Sequence, residues 1–409
     1  MPRPSRAISW RYSTWNDGGL MKRIALVMGL SDFYEHGIAR GVVRYAKSRP
    51  DWRIFGQGWM FGGLKDLSQW RGDGIIARVE SGADADNLAG LGLPVIDVAG
   101  AYSRKGFRSM TNDDFLTGYS AARYFGSIGF GCLAFLGVEA VGWSAARKEG
   151  AARALGMAVA GIPSFERGLD WWEGLGTDDG DLASFLAGLD RPAAVFACND
   201  TAGLRAVELC GRVGIEVPSE IAVLGVDDED IVCELASPSL SSVALDCETI
   251  GYRAAALLDA VLEGSGPPAG TALSVPPRSV AERESTMTFS TDDPLVAKAV
   301  TAIRARAHEG IDVADVLRLV PASRRSLETR FRRATGRSLH EEILLARVGR
   351  AKRLLSATDL TMDAVAEASG FGSLQRFHES FKRLAGMTPG AWREGSRRGG
   401  LTAARGGDH

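Results

Sequence analysis

Over the first two-thirds of the chain, short aliphatic and β-branched runs alternate with amphipathic stretches. Ile24-Ala25-Leu26-Val27-Met28 reads as a buried strand, and Glu35 to Lys47 reads as a helix with Ile38, Val42 and Val43 on one face. Trp52 to Phe55, Gly74 to Ala77 and Pro94 to Val98 predict further strands, each separated from the next by a helical segment. A second series follows at Cys132 to Leu136, Ala193 to Ala197 and Ile221 to Gly225. Two successive sets of strand–helix alternation predict two doubly wound parallel sheets, an α/β two-lobed architecture. Ligands of such folds bind outside the carboxyl ends of the strands, here in the cleft between the lobes.

The pattern changes after a turn-rich stretch, GSGPPAG at 264–270 and Pro276-Pro277, which flanks an edge strand near Leu273 to Val275. Asp293-Pro294 reads as a helix start, with Asp as the cap and Pro at the first position. From Leu295 to Trp392 the period is helical throughout. Two segments share one design. Val313 to Leu319 is a short helix, and a turn through Pro321 and Ala322 leads to Ser323, which caps a second helix with Leu327 and Phe331 inward. Met362 to Ala368 is again a short helix. The turn Gly370-Phe371-Gly372 follows, and Ser373 caps a helix with Phe377 and Phe381 inward. Leu339 to Leu355 lies between them as a longer helix, with Ile343, Ala351 and Leu354 as core positions. A second helix reached by a tight turn, with polar and basic residues outward, suits the major groove of DNA. The expected layout is an N-terminal extension at 1–20, an effector-binding region at 21–288, an all-α region with two helix-turn-helix units at 289–396, and a disordered tail at 397–409.

Charge sharpens this division. The last 115 residues carry 21 lysines and arginines against 12 acids, a net +9, whereas the first 294 carry 27 against 38, a net −11. A basic appendage on an acidic body is the footprint of a nucleic-acid-binding region, although a solvated basic surface gives the same count. Five dispersed cysteines and five dispersed histidines carry no metal-ligand spacing, so buried free thiols and no metal site are expected. No membrane span and no secretory signal is legible, and the cytoplasm, with the nucleoid when bound to DNA, is the expected location.

On the outward faces of the two capped helices, Arg324, Arg325 and Arg330 suit guanine edges or phosphates, and Gln375 suits adenine. Ser323, Ser373, Arg376 and His378 suit phosphates, which fix register. Ser326, Thr329 and Leu374 complete the candidate DNA face. The run Ala366-Glu367-Ala368-Ser369-Gly370-Phe371, then Ser373, Phe377, Phe381-Lys382, Gly386, Thr388-Pro389 and Trp392-Arg393, resembles the arabinose-regulator family of DNA-binding domains. Trp392 stands where that family usually has tyrosine, and Leu374-Gln375 replaces more polar residues. The resemblance implies two helix-turn-helix units on one face, reading successive major grooves.

In the first region no GxGxxG follows Met28 and no Walker motif occurs, so phosphate-cradling cofactors lose support. Thr111-Asn112-Asp113 precedes a helix and Arg147-Lys148-Glu149-Gly150 begins another. Ala197-Cys198-Asn199-Asp200 and Gly225-Val226-Asp227-Asp228 each follow a strand. Together with Pro238 to Val243 and Gly251 to Ala255, these strings resemble the periplasmic-binding-protein-like domain of the lactose-repressor type. That resemblance implies sugar contacts at Arg147, Asn199 and Asp227, with Asp200 beside them. Asp32, in the loop after the first strand, joins them by strand-end position. Phe33, Tyr34 or Trp143 would supply a stacking face, while Asn199 and Asp227 also suit ordinary helix capping.

A lactose-repressor-like sensor ahead of an arabinose-regulator-like DNA domain is the layout of the bacterial xylose-operon activators, which this chain resembles over nearly its whole length. The resemblance implies D-xylose as effector, no cofactor, homodimerisation through the sensor, operator DNA as partner, and activation of sugar-catabolism genes through RNA polymerase. A different sugar, or repression, is the alternative. An enzyme using Asp227-Asp228 as a carboxylate pair is disfavoured, because adjacent residues at a strand end point apart and no partnered base accompanies them. A transport-associated sugar-binding protein is disfavoured by the DNA-reading region.

Overall fold

The computed structural model describes residues 21–29, 32–57, 70–100, 106–174, 178–288, 291 and 293–398. The expected extension at 1–20 lies outside them; of the tail expected at 397–409, residues 399–409 lie outside them, while Arg397 and Arg398 are described and close the last helix. The first lobe opens with β1 (Lys22–Val27), α1 (Phe33–Lys47), β2 (Trp52–Gln57), β3 (Gly74–Ala77), α2 (Gly82–Gly90), β4 (Val95–Asp97) and β5 (Arg108–Asn112). The second lobe follows with α3 (Asp114–Ser127), β6 (Ala134–Val138), α4 (Gly142–Leu155), β7 (Ser164–Arg167), α5 (Leu169–Glu173) and α6 (Gly180–Ala187). It continues through β8 (Ala193–Ala197), α7 (Asp200–Val213), β9 (Ile221–Asp227), α8 (Asp230–Leu235) and β10 (Ser241–Ala244). The chain then returns to the first lobe with α9 (Cys247–Leu262) and β11 (Ala272–Val275), and crosses back for β12 (Val280–Ala281).

The first sheet runs β11-β5-β4-β3-β1-β2 and is parallel throughout. The second runs β12-β10-β9-β8-β6-β7, parallel except for β12 at its edge. Successive residues of β1 enter different cores: Ile24 and Leu26 join a cluster continuous with the second lobe, whereas Ala25 and Val27 pack with Ile75, Ala77 and Val95. That split is what a strand buried on both faces requires, and it explains why these strands read as unbroken apolar runs. The chain crosses between lobes three times, after β5, after β10 and after β11.

Several expectations are refined. Val43 is 40% exposed, because α1 buries Ile38, Val42 and Tyr45 at helical spacing and Val43 lies one step around the helix. β10 was not legible as a strand because it opens with two fully buried serines, Ser241 and Ser242, whose hydroxyls are bonded inside the fold. β5, β7 and β12 were likewise not anticipated. Of the thiols, Cys132 is exposed and the other four are buried.

Residues 294–398 are helical: α10 (Pro294–Arg306), α11 (Val313–Leu319), α12 (Arg324–Thr335), α13 (Leu339–Ala357), α14 (Met362–Ala368), α15 (Leu374–Ala385) and α16 (Pro389–Arg398). Asp293, Ser323 and Ser373 cap α10, α12 and α15 through their side chains. Gly336 and Gly386 end α12 and α15 in the left-handed conformation, so each candidate reading helix is twelve residues between a serine cap and a glycine stop. Two separate cores form. Leu327 and Phe331 pack with Val300, Ile303 and Val316, and Phe377 and Phe381 pack with Val365, Ala366 and Phe371. α13 serves both, giving Leu339 and Ile343 to the first and Leu344, Val348, Ala351 and Leu355 to the second. Leu355, not Leu354, takes the fully buried place at its end; Leu354 is half-buried against the same core.

Candidate functional site

The candidate effector site draws on strand ends of both sheets. On the first lobe, Asp32 caps α1, accepting from the Glu35 backbone N–H at 2.8 Å. The same carboxylate accepts from Arg78, just past β3, at 2.5 Å, and Arg78 also reaches Glu35 at 3.3 Å and Glu80 at 2.9 Å. Tyr34 donates its hydroxyl to the Val98 carbonyl beyond β4 at 2.8 Å, and the Arg78 guanidinium lies 5.9 Å from its ring.

On the second lobe, α3 and α4 pack closely because Gly118 and Gly150 sit where they touch. A Cβ at Gly118 would lie 1.7 Å from the Arg147 carbonyl oxygen, and one at Gly150 would lie 1.9 Å from that of Phe115. This approach brings Asp114, at the start of α3, to Arg147 on α4. Arg147 donates Nε and Nη2 to Asp114 at 2.9 and 2.8 Å, and a third N–H to the Cys198 carbonyl at the end of β8. The Trp143 ring lies 4.9 Å from its guanidinium. Arg147 thus lies one turn inside a helix that starts at Gly142, and does not begin it as expected from sequence.

Asp227 ends β9 with φ +114° and is followed by Asp228 at +58°, two consecutive non-glycine residues at positive φ. Such strain persists only where surrounding bonds over-determine it, and it gathers at functional sites. The bonds here are specific. Asp200 accepts from the Glu229 backbone N–H at 2.9 Å and from the Ser242 hydroxyl at 2.6 Å, while Ser242 accepts from the Asp228 N–H at 2.9 Å. Arg283 pairs with the Asp228 carboxylate at 2.8 Å.

Burial pushes Asp227 up to about 7 against the attraction of Arg147, and the negative charges of Asp32, Asp114 and Glu229 push the same way. Burial opposes the charge on Arg147, but Asp114 and Asp227 outweigh it and its pKa rises. Asp227, Arg147, Asp114 and, from the other lobe, Asp32 therefore share one electrostatic environment across the cleft.

Of the five candidate sugar residues, Asp32, Arg147 and Asp227 are brought together. Asn199 caps α7, its carbonyl oxygen accepting from the Ala202 N–H at 2.9 Å. Asp200 is placed differently from the expectation. It is 2% exposed, and both carboxylate oxygens are bonded inward beneath the Asp227–Glu229 turn, with no room above Gly225, whose added Cβ would lie 2.2 Å from it. Asp200 positions the turn and does not line the cleft. Arg78, Asp114 and Asn112 were missed. Asn112 at the end of β5 is buried, donates to Asp114 and Thr117, and its Oδ1 has no hydrogen-bond partner among the described residues. The Asn112-Asp113-Asp114 run carried the signal: one acid suffices to cap α3, and Asp113 does so, leaving Asp114 for another task.

On α12, Arg324, Arg325, Thr329 and Arg330 are exposed and Ser326 is half-buried; on α15, Gln375 and Arg376 are exposed. Arg324 pairs with Glu328 at 2.9 Å, Arg330 with Asp293 at 3.2 Å, and Gln375 donates to Glu379 at 2.9 Å. Each of these contacts is exposed, and such surface pairs contribute little to stability. Ser323 and Ser373 are exposed but accept from the Ser326 and Arg376 N–H groups as caps. Leu374 is half-buried against the second core, and the His378 ring packs edge-on to Phe377.

The cleft and the helices are joined by one polar run. The 3₁₀ turn Glu284–Thr286 follows Arg283, and the Thr286 hydroxyl bonds those of Ser241 and Tyr124 at 2.7 and 2.8 Å. Arg304 on α10 donates to the Thr288 carbonyl at 2.7 Å and to Glu342 of α13 at 3.1 and 3.2 Å. Glu342 is buried and also accepts from Arg337 at 3.3 Å.

Comparison with known proteins agrees with this arrangement. Residues 23–111 match a model described as the XylR N-terminal domain, residues 122–286 a periplasmic binding protein-like domain, and residues 317–395 a helix-turn-helix domain. The xylose operon regulatory protein of Escherichia coli strain K12 is 30% identical over 387 residues, covering 91% of this chain and 97% of that protein. The chain belongs to the xylose operon regulator family. The family member of Haemophilus influenzae is 29% identical over 383 residues, covering 91% of this chain and 98% of its own length. A solved structure of the xylose-binding transcription activator XylR superposes with a TM-score of 0.62 at 28% identity, covering 91% of this chain and 97% of the other. This xylose operon regulator homologue is accordingly a DNA-binding transcription regulator with a periplasmic-binding-protein-like sensor, and not an enzyme. No helix among the described residues is long and apolar enough to cross a membrane.

Proposed function

We propose that the regulator is gated by a neutral aldopentose, D-xylose, held between the lobes by Asp32, Arg147, Asn199 and Asp227, with Arg78, Asn112 and Asp114 beside them. The observation that carries this reading is the meeting of carboxylates and guanidinium groups at the strand ends of both sheets. Carboxylates accept from vicinal hydroxyls and guanidinium groups donate to ring and hydroxyl oxygens, while Tyr34 or Trp143 offers a face to the C–H side. The buried, unpaired Asn112 oxygen costs free energy until a hydroxyl reaches it. An acid-rich cleft, with Asp32, Asp114, Asp227 and Glu229 in it, repels phosphorylated sugars. The family's E. coli member is a xylose operon regulatory protein, which supports xylose over other pentoses.

In this reading residues 21–288 form the sensor and 289–396 the DNA-reading domain. Ser323, Arg324, Arg325, Ser326, Thr329 and Arg330 of the first unit, and Ser373, Leu374, Gln375, Arg376 and His378 of the second, present the operator-facing surface. The regulator acts in the cytoplasm as a homodimer, activating sugar-catabolism genes through RNA polymerase. Closure on the sugar must favour one presentation of the DNA helices, because a ligand shifts an equilibrium only by its differential affinity for the two states.

The test is calorimetric titration of the full chain with D-xylose, L-arabinose, D-ribose, D-glucose and D-xylose 5-phosphate. Heat with xylose alone, lost in Arg147→Ala, supports the sugar and the site together. Binding of another sugar instead replaces the effector, and binding of the phosphate ester overturns the electrostatic argument.

A further inference from the structure

Among the described residues the two helix-turn-helix units have separate apolar clusters, joined along the chain by α13, which serves both, and between the units lies an open groove of about 410 Å³, lined by His308, His340, Arg347, Glu367, Gly370 and Arg376 among others. Besides the helix itself, the contacts that reach across the groove are largely polar. Arg347 on α13 donates Nε to the Ala307 carbonyl at 3.1 Å and Nη2 to the Ile311 carbonyl at 2.7 Å, both in the segment leading into the first unit. Its guanidinium lies 5.9 Å from the centre of the Phe371 ring in the turn of the second unit. One turn along α13, Arg350 donates to the Ala368 carbonyl at 2.7 Å, where α14 ends. Gly370 completes the joint. At φ +79° it adopts a conformation that favours glycine, and a Cβ there would lie 2.2 Å from the Ala307 oxygen, so the second unit's turn rests on the same carbonyl that Arg347 holds.

We infer that Arg347, with Gly370, is the positioning clamp that fixes α12 and α15 in one relative register, and so sets the spacing of the two DNA boxes that a single chain reads. Two features make this more than packing. A guanidinium fork presents several fixed donors, so one side chain locks two carbonyls of the first unit while facing an aromatic of the second. Burial disfavours its charge and Asp312 opposes that shift; among the described residues the guanidinium is held by two backbone carbonyls and a π face. Such contacts are directional, whereas apolar packing tolerates small rotations. Adding one base pair between boxes moves the second box by about 3.4 Å along the duplex and turns it by roughly a tenth of a revolution. A rigid pair of reading helices cannot follow that move. A loosened pair can.

The inference rests on α12 and α15 being the reading helices, and the experiment separates the two claims. Full-length protein selects its site from a random-sequence duplex library. Affinities are then measured for that site and for versions with one or two base pairs added or removed between the boxes. Wild type is expected to lose about tenfold on a one-base-pair change, the discrimination of roughly one lost base contact. Arg347→Met is expected to keep the selected spacing within about threefold and to flatten the series, because weak directional bonds position the units without supplying base contacts. A variant that loses affinity equally at every spacing, or that discriminates spacing as sharply as wild type, overturns the clamp. If Arg347→Met loses its helical circular dichroism, Arg347→Lys carries the same test, since it keeps the stem and charge but not the fork. Arg325→Ala and Gln375→Ala address the premise: unchanged affinity in both means that these helices do not read DNA, whatever Arg347 does.

Discussion

Replacing Asp227 by Asn tests the electrostatics of the cleft directly. In the folded chain this carboxyl is pushed up to about 7 by burial, with Arg147 pulling the other way and neighbouring acids adding to the rise. In the unfolded chain it has an ordinary aspartate value near 3.9. The folded state therefore holds the proton more tightly, and the stability this contributes is fully present below about pH 4 and lost as pH rises through 7. Between pH 5 and pH 8 the loss is about 2–3 kcal/mol, from roughly two pKa units at 1.36 kcal/mol each. Asp227→Asn keeps the shape and removes the titration. Urea unfolding of both proteins at half-unit steps from pH 5 to pH 8, without sugar, isolates the difference. Wild type should lose stability relative to the variant across this window, most steeply below pH 7. A difference that is flat with pH, or that grows in the opposite direction, would falsify the account of the cleft as a site where ionisation is opposed by burial. Sugar adds a second readout. A hydroxyl donating to the ionised carboxylate lowers its pKa, so binding near pH 6.5 should release protons, seen as titration heats that depend on buffer ionisation in wild type and not in Asp227→Asn.

Two further outcomes follow from the joint and the cores. Arg304→Met leaves buried Glu342 with Arg337 as its ion-pair partner among the described residues and should cost about 3 kcal/mol, the lower end for breaking a buried pair; urea melts followed by far-ultraviolet circular dichroism measure it, and an unchanged midpoint would show that the bridge does not stabilise the fold. Phe377→Ala empties a fully buried position in the small second core and should cost about 3–5 kcal/mol. Its operator affinity should fall toward that for random duplex DNA while the heat of sugar binding stays unchanged; loss of sugar binding as well would mean that the sensor depends on that core.

The helical region was largely legible because its signals are local. A serine cap, two buried apolar residues four apart and a glycine stop specify each candidate reading helix within fourteen residues, and Ser323 to Gly336 and Ser373 to Gly386 form as the pattern implies. The buried strands were legible where both faces are apolar, as at β1, β3 and β8. β10 was not, because its serines are buried to bond Asp200 and Thr286, a requirement set by residues some forty positions away. The cleft was half legible for the same reason. Asp32, Arg147 and Asp227 stand at strand ends or on a matching string, but Arg78 and Asp114 acquire their role only when partners distant in sequence are brought to them. Asp200 shows the converse: its position beside Asn199 suggested a ligand contact, and the bonds it makes to the turn beneath Asp227 take both of its oxygens.

The three crossings between lobes carry a mechanical consequence. Neither lobe is a continuous stretch of chain, so one proteolytic cut in any crossing leaves the two tethered by the remaining pair. Three segments joining two lobes favour hinge bending over independent travel, and closure about such a hinge would bring Asp32 on one lobe and Arg147 and Asp227 on the other together. The third crossing, from β11 to β12, runs on through Arg283 to the 3₁₀ turn and the Thr288 carbonyl that Arg304 holds, so the chain that closes the hinge is also the chain on which the foot of the helical region rests.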